Sequence, residues 1–197
     1  MKFSKNWLNE FITIDLSTEE ICHQLTMAGL EVDGYEDIKS KITGNDSIIN
    51  LDITPNRGDC FSVLGVAREL AVINNLKLSL PKIKKIQGSY KDDIGLNVCP
   101  EGPIYFGRTI RQISLKSETL PLIAERLRLS DQKLIDPVVD ITNYILLELG
   151  QPLHAFDRKK IEGDISVRLA KKNENIILLL SLIHISEPTR RYAISYA

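Results

Sequence analysis

The stretch from Asp136 to Gly150 constrains the fold of this chain more than any other. Asp136 is an N-cap residue, Pro137 stands at the first helical position where a missing N–H costs nothing, and Gly150 stands where a C-terminal glycine is expected. Between them VVDITNYILLEL is apolar almost throughout, so the sequence predicts a helix that needs a broad apolar surface to pack on. Shorter signals of the same kind precede it. Ser17 and Glu20 form a capping box, Ile21, Leu25 and Ala28 recur at helical spacing, and Gly29 ends that helix. LEVDGYE and SIINLDIT (47–54) alternate as strands. Pro55 to Gly58 breaks the second strand, Asp59 is expected to cap the next element, and FSVLGVARELAVINN runs on as a helix. Trp7, Leu8 and Phe11 read as one packing face.

Residues 1–76 therefore read as one small α+β domain. Residues 77–90 carry Lys77, Lys82, Lys84 and Lys85 beside a proline and a glycine, and read as a solvated linker. A second mixed domain is expected over 91–179, with strands at 93–98 and 104–115, helices at 120–129 and 137–149, and strands again in GDISVRLA and NENIILL. The predicted class is α+β in two small mixed domains. LSLIHISEPTR, at 180–190, resembles the translation of a transposase adapter used to prepare DNA sequencing libraries, so 180–197 is expected to be a non-native tail.

Composition removes several function classes. Charges nearly cancel, at −1 overall, so the whole chain gives no electrostatic warrant for nucleic-acid binding; such contact would be local or supplied by a partner. Cys22, Cys60 and Cys99 are odd in number and form no CxxC pair, which fits reduced thiols and a cytoplasmic setting better than disulfides or zinc. The longest apolar run, at 176–185, is too short to span a bilayer. There is no phosphate-cradling glycine loop and no H-E-x-x-H, so no metal or nucleotide is expected to be bound by this chain alone. Pro55 to Cys60 reads as a strand-to-helix turn with Arg57 solvated or paired locally, and Cys60 as a buried thiol.

Four segments in order carry a resemblance: MKFSKNWLNEFI at 1–12, LTMAGLEVDG at 25–34, ITPNRGDCFSVLGVARELAVIN at 53–74 and VVDITNYILLELGQPLHAFD at 138–157. Together they resemble the β subunit of bacterial phenylalanyl-tRNA synthetase, over roughly 1–36 and 47–179. The resemblance implies an N-terminal portion of that subunit, in which an oligonucleotide-binding barrel, inserted in the family after the segment like GLEVDG, is absent near 36–46. It implies a partner α subunit in an α2β2 enzyme, tRNA for phenylalanine as substrate, no membrane, and ATP and Mg²⁺ used by the whole enzyme at a synthetic site on the α subunit. It also implies that 91–179 is like the domain hydrolysing tyrosine wrongly attached to that tRNA. Such a site answers a physical problem, because a pocket shaped for an aromatic ring rejects an isostere with one added hydroxyl only weakly.

By that resemblance, Thr142, Asn143, Pro152 and His154 correspond to residues lining the editing pocket. Lys133 in SDQKLIDP is the nearest counterpart of a family arginine, with a point charge in place of a planar fork. An imidazole such as His154 suits hydrogen bonding or proton transfer near neutrality, and positioning of water and substrate is the expected role. The glycine-rich turn and the glutamate that reads the tyrosine hydroxyl in the family are expected downstream of Leu179, so the chain alone is expected not to edit. Two readings of other classes remain: a non-catalytic assembly or tRNA-contact module, and a free-standing editing factor.

Overall fold

In the computed structural model of the chain, the described residues are 1–90, 94–171, 174–177, 182–184 and 192–196; beyond 174 only the backbone path is described. They form two compact units, one of residues 1–85 with 114–155 and one of 86–113 with 156–197.

In the first unit, β1 (Lys2–Ser4) runs into a single helical turn, α1 (Lys5–Leu8), capped by Ser4. The Ser4 hydroxyl accepts from Trp7 N at 3.0 Å and donates to Asp46 Oδ2 at 2.6 Å, fastening the turn to the sheet. α2 (Thr18–Met27) begins at the expected capping box of Ser17 and Glu20 and is followed by Gly29 at φ +84°, the left-handed residue that ends a helix cheaply. β2 (Glu31–Ser40) and β3 (Gly44–Asp52) form a long antiparallel hairpin, and the sheet order is β1-β3-β2. Residues 36–46, a largely polar stretch between the two strand segments legible in the sequence, continue both strands to a turn at 41–43, with Glu36 opposite Ile48 and Ser40 opposite Gly44.

The chain then passes through a 3-10 turn, Pro55–Cys60, into α3 (Val63–Ile73). The cap of α3 is Ser62, whose hydroxyl accepts from Gly65 N at 3.0 Å. The expectation that Asp59 would cap is corrected, because Asp59 is drawn into bonds with Arg57. Phe3, Trp7, Leu8, Phe11, Ile21, Leu25, Ile49 and Leu70 are among the buried side chains of the core. The packing face expected of Trp7, Leu8 and Phe11 is realised: each is at most 2 % exposed.

α4 (Pro121–Leu129) and α5 (Pro137–Leu149) join this same unit. The sequence boundary near residue 76 is thus not where the compact unit ends. Tyr144, Leu147 and Leu149 of α5 pack against the core just described, and the Tyr144 ring stacks on Trp7 at 5.1 Å. Leu78 also leans on that core and Ser79 N donates to Phe11 O at 2.7 Å, so the first part of the lysine-rich stretch stays with the unit.

In the second unit β4 (Leu96–Val98) pairs in parallel with β5 (Ile165–Leu169), and β5 pairs antiparallel with β8 (Tyr192–Tyr196). β6 (Asn175–Ile177) and β7 (Leu182–His184) make a separate pair. The strand expected over 104–115 does not form. Among the described residues no strand pairs with this segment, and Phe106 is left 92 % exposed. The expected non-native tail falls on 180–197, where residues 180, 181, 185–191 and 197 lie outside the described residues.

Candidate functional site

Four of the five residues singled out by sequence depend on α5 and its exit. Asp136 Oδ1 accepts from Val138 N at 2.9 Å and Val139 N at 3.1 Å, satisfying donors that a helix start leaves orphaned. At the other end Gly150 takes φ +73°, and its N–H reaches Leu146 O at 2.9 Å. A β-carbon there would lie 3.2 Å from Ser62 Oγ, so the glycine also lets the helix exit sit close against the start of α3.

Thr142 and Asn143 are half-buried on α5. The Thr142 hydroxyl donates to Val139 O at 2.7 Å, which fixes its proton in the helix and leaves the oxygen as an acceptor. Pro152 and His154 lie in the exposed extended segment 151–157 beyond the helix, and Lys133 is exposed in the segment before it. The structure therefore gathers Thr142 and Asn143 on one element, places Pro152 and His154 at its exit, and holds Lys133 on a different segment.

The most enclosed polar chemistry is a set of residues that the sequence reading missed. Arg126 of α4 is 5 % exposed, lies over the Trp7 ring at 5.0 Å, donates from Nη1 to Tyr144 Oη at 2.8 Å, and pairs with Glu10 through Nη2. Burial works against the guanidinium charge, but the bond to Glu10 and the Tyr144 oxygen outweigh it, and the Arg126 pKa is raised. Tyr144 Oη in turn donates to Glu148 Oε1 at 2.8 Å; burial first, and that carboxylate second, push the phenol up to about 12. This array anchors α4 and α5 to the N-terminal turn. Its signal in the sequence is slight, since an arginine inside AERLRL reads as a solvated face.

Asp140 is equally enclosed, at 1 % exposed, and accepts from Ile135 N at 2.9 Å and from the Thr119 hydroxyl. A lone aspartate within an apolar run was the available clue.

Asp59, Cys60 and Glu69 bring three metal-type donor atoms within 4.8 Å of one another. The space between them is held by the Arg57 guanidinium, which donates to Asp59 Oδ2 at 3.1 Å, Cys60 Sγ at 3.0 Å and Glu69 Oε2 at 2.9 Å. A resident cation already balances the carboxylates, so the group fits an arginine staple and not a metal ion. Arg57 holds the Asp59 carboxyl down to about 2, while burial, then Asp59, pushes the Cys60 thiol up to about 11. The local pairing expected of Arg57 and the buried state expected of Cys60 are both observed.

A shallow groove lies between the sheet and the end of α4, lined by Lys2, Tyr35, Asn50 and Arg128 among others. Lys2 and Asp131 pair across it at 2.6 Å.

Comparison with known proteins places these elements. The B3/4 domain family matches residues 101–187, a stretch that includes α4 and α5. The phenylalanine–tRNA ligase β subunit of Idiomarina loihiensis is 44% identical over 157 residues, covering 78% of this chain and 20% of that protein. The chain is homologous to the phenylalanine–tRNA ligase β subunit. The corresponding subunit of Photorhabdus laumondii is 43% identical over 148 residues, covering 73% of this chain and 18% of that protein. The chain thus spans about a fifth of the length of the curated relatives it matches. Among solved structures, an N-terminal fragment of the phenylalanyl-tRNA synthetase β subunit from Pyrococcus horikoshii is similar with a TM-score of 0.40 and 19% identity, over 98% of this chain and 50% of that one. No helix among the described residues is long and apolar enough to cross a membrane.

Proposed function

We propose that this chain contributes the N-terminal portion of a phenylalanine–tRNA ligase β subunit and carries part of a pocket that hydrolyses tyrosine mischarged onto the tRNA for phenylalanine. In the assembled enzyme its partners are the α subunit, in an α2β2 arrangement, and that tRNA. ATP and Mg²⁺ belong to the synthetic site of the whole enzyme, and no residue of this chain is assigned to hold them. The setting is the cytoplasm.

The observation that carries this reading is the 44% identity over 157 residues with a subunit of that name, joined to the geometry of α5. Ester hydrolysis needs a positioned water and polar atoms around the carbonyl. The Thr142 oxygen, free to accept because its proton is committed to Val139 O, and the imidazole at the helix exit are suited to that task. His154 acts here by holding water and substrate. Lys133 supplies a cation near the tRNA phosphate or the ester, without the planar bidentate geometry of an arginine.

Release of labelled tyrosine from tyrosyl-tRNA for phenylalanine tests the reading. The 197-residue chain alone is expected to release none. The same chain extended through the downstream part of its relatives is expected to release it, with a loss of at least tenfold in His154→Ala. Equal release by the extended chain and its His154→Ala variant would refute the assignment of His154. Equal release with Thr142→Val would remove α5 from the pocket.

A further inference from the structure

The candidate residues stand on two separate segments, Lys133 before α5 and Thr142 with Asn143 upon it, and something must fix one against the other. The segment 131–136 is short, exposed at Asp131, Gln132, Lys133 and Ile135, and outside any helix or strand. Such a segment has little packing to hold it, with Ile135 itself 67 % exposed. One side chain of α5 reaches it. Asp140 Oδ1 accepts from the backbone N–H of Ile135 at 2.9 Å, and Oδ2 takes the Thr119 hydroxyl. Asp140 is 1 % exposed, so its carboxylate is shielded from water, and a bond to a charged acceptor in such a place is worth more than an exposed one.

We infer that Asp140 is a positioning residue that sets Lys133 in register with Thr142 and Asn143. The inference rests on the pocket reading given above for those three residues. Asp140 lies two residues before Thr142 and three before Asn143 on the same helix, and the amide it holds is two residues from Lys133. The start of the segment is held to α4 by Asp131 N on Arg128 O at 3.0 Å and Gln132 N on Leu127 O at 2.8 Å, and the Asp140 carboxylate holds its other end to α5. Its second bond, to Thr119, uses the other oxygen and reaches the residues leading into α4, while Oδ1 alone holds Ile135. Asp136, four residues earlier, has a different task, because its bonds go forward into the helix at Val138 and Val139.

The test uses the 197-residue chain and magnetic resonance, and so is independent of tyrosine release. A nitroxide is placed at Lys133→Cys in a Cys99→Ser background, Cys22 and Cys60 being buried, and line broadening is read at the Thr142 and Asn143 amides. Strong, uniform broadening is expected with Asp140 present. Asp140→Ala, which removes both acceptor oxygens, should reduce it at least twofold and speed hydrogen exchange of the Ile135 amide at least tenfold, while the Val138 and Val139 amides, held by Asp136, keep their protection. Thr119→Val, which spares the Ile135 bond, should keep the broadening. Unchanged broadening in Asp140→Ala overturns the inference. So does an Ile135 amide that exchanges at the open-loop rate in the unsubstituted chain, a result that stands even where Asp140→Ala does not fold. If these results are as expected and His154→Ala nonetheless leaves tyrosine release intact in the extended chain, the positioning stands and the pocket reading fails.

Discussion

Gly65 is the third residue of α3, and from sequence alone its replacement by alanine should help. A glycine within a helix costs up to about 1 kcal/mol relative to alanine. The structure reverses that sign. A β-carbon built on Gly65 would lie 2.1 Å from the Asp59 carbonyl oxygen and 2.9 Å from Cys60 Cα, both backbone atoms that cannot rotate aside. Relief requires the start of α3 to separate from the 3-10 turn, and overpacking of this kind costs about 1–3 kcal/mol or more. The same movement would loosen the Ser62 cap on Gly65 N, worth about 1 kcal/mol. Setting up to about 1 kcal/mol of propensity gain against these losses leaves a net destabilisation of about 1–3 kcal/mol. For a chain of this size that lowers the melting temperature by about 2–12 °C. Urea unfolding followed by circular dichroism reads the effect as a fall in midpoint. Gly58→Ala serves as the control, since nothing lies within 4 Å of its β-carbon and its backbone needs no left-handed conformation. A Gly65→Ala midpoint equal to or above the unsubstituted one would show that the turn and helix do not approach as described.

Arg126→Met keeps much of the apolar stem but removes the guanidinium from Trp7, Tyr144 and Glu10; because Trp7 is the single tryptophan, its emission should change and stability should fall by about 2–4 kcal/mol, whereas unchanged emission would place Arg126 elsewhere. Asp59 has a folded pKa of about 2, below its ordinary value of 3.8, so its pairing with Arg57 contributes stability at and above pH 4 that is lost as pH falls toward 2. Carboxyl carbon shifts should show that midpoint, and Arg57→Gln should return it toward the ordinary range; an unmoved midpoint would contradict the staple. With the Cys60 thiol raised to about 11 by burial and Asp59, iodoacetamide at pH 8 should modify the partly exposed Cys99 first, as peptide mapping would reveal, and prior labelling of Cys60 would count against its enclosure.

Where short-range rules decide the structure, the sequence was enough. The capping box at Ser17 and Glu20, the Asp136-Pro137 start, the Gly150 stop and the Trp7 packing face are each set within a turn or two of the residues that signal them. Resemblance of four segments named the relatives, which the identity over 157 residues then matched. Local pattern failed where a partner at long range was the deciding influence. The alternating apolar residues of 104–115 look like a strand but find no strand partner among the described residues, while the polar residues of 36–46 look like a connection but are paired with each other across the hairpin.

The candidate site divides in the same way. Thr142, Asn143 and His154 could be named from sequence because a motif carries them, yet the residues that fix their helix could not. Arg126 lies 119 positions after Trp7 and 116 after Glu10, and nothing in a run such as AERLRL says that its ring and carboxylate partners will come from the far end of the chain. Sequence determined the helices α2 to α5 and what family the chain is like, since those follow from backbone preference and motif. Tertiary structure alone decided that α4 and α5 pack with the N-terminal unit, that Arg57 fills the acidic cluster, and that Asp140 faces Ile135, because burial turns a weak surface charge into a bond that must be satisfied.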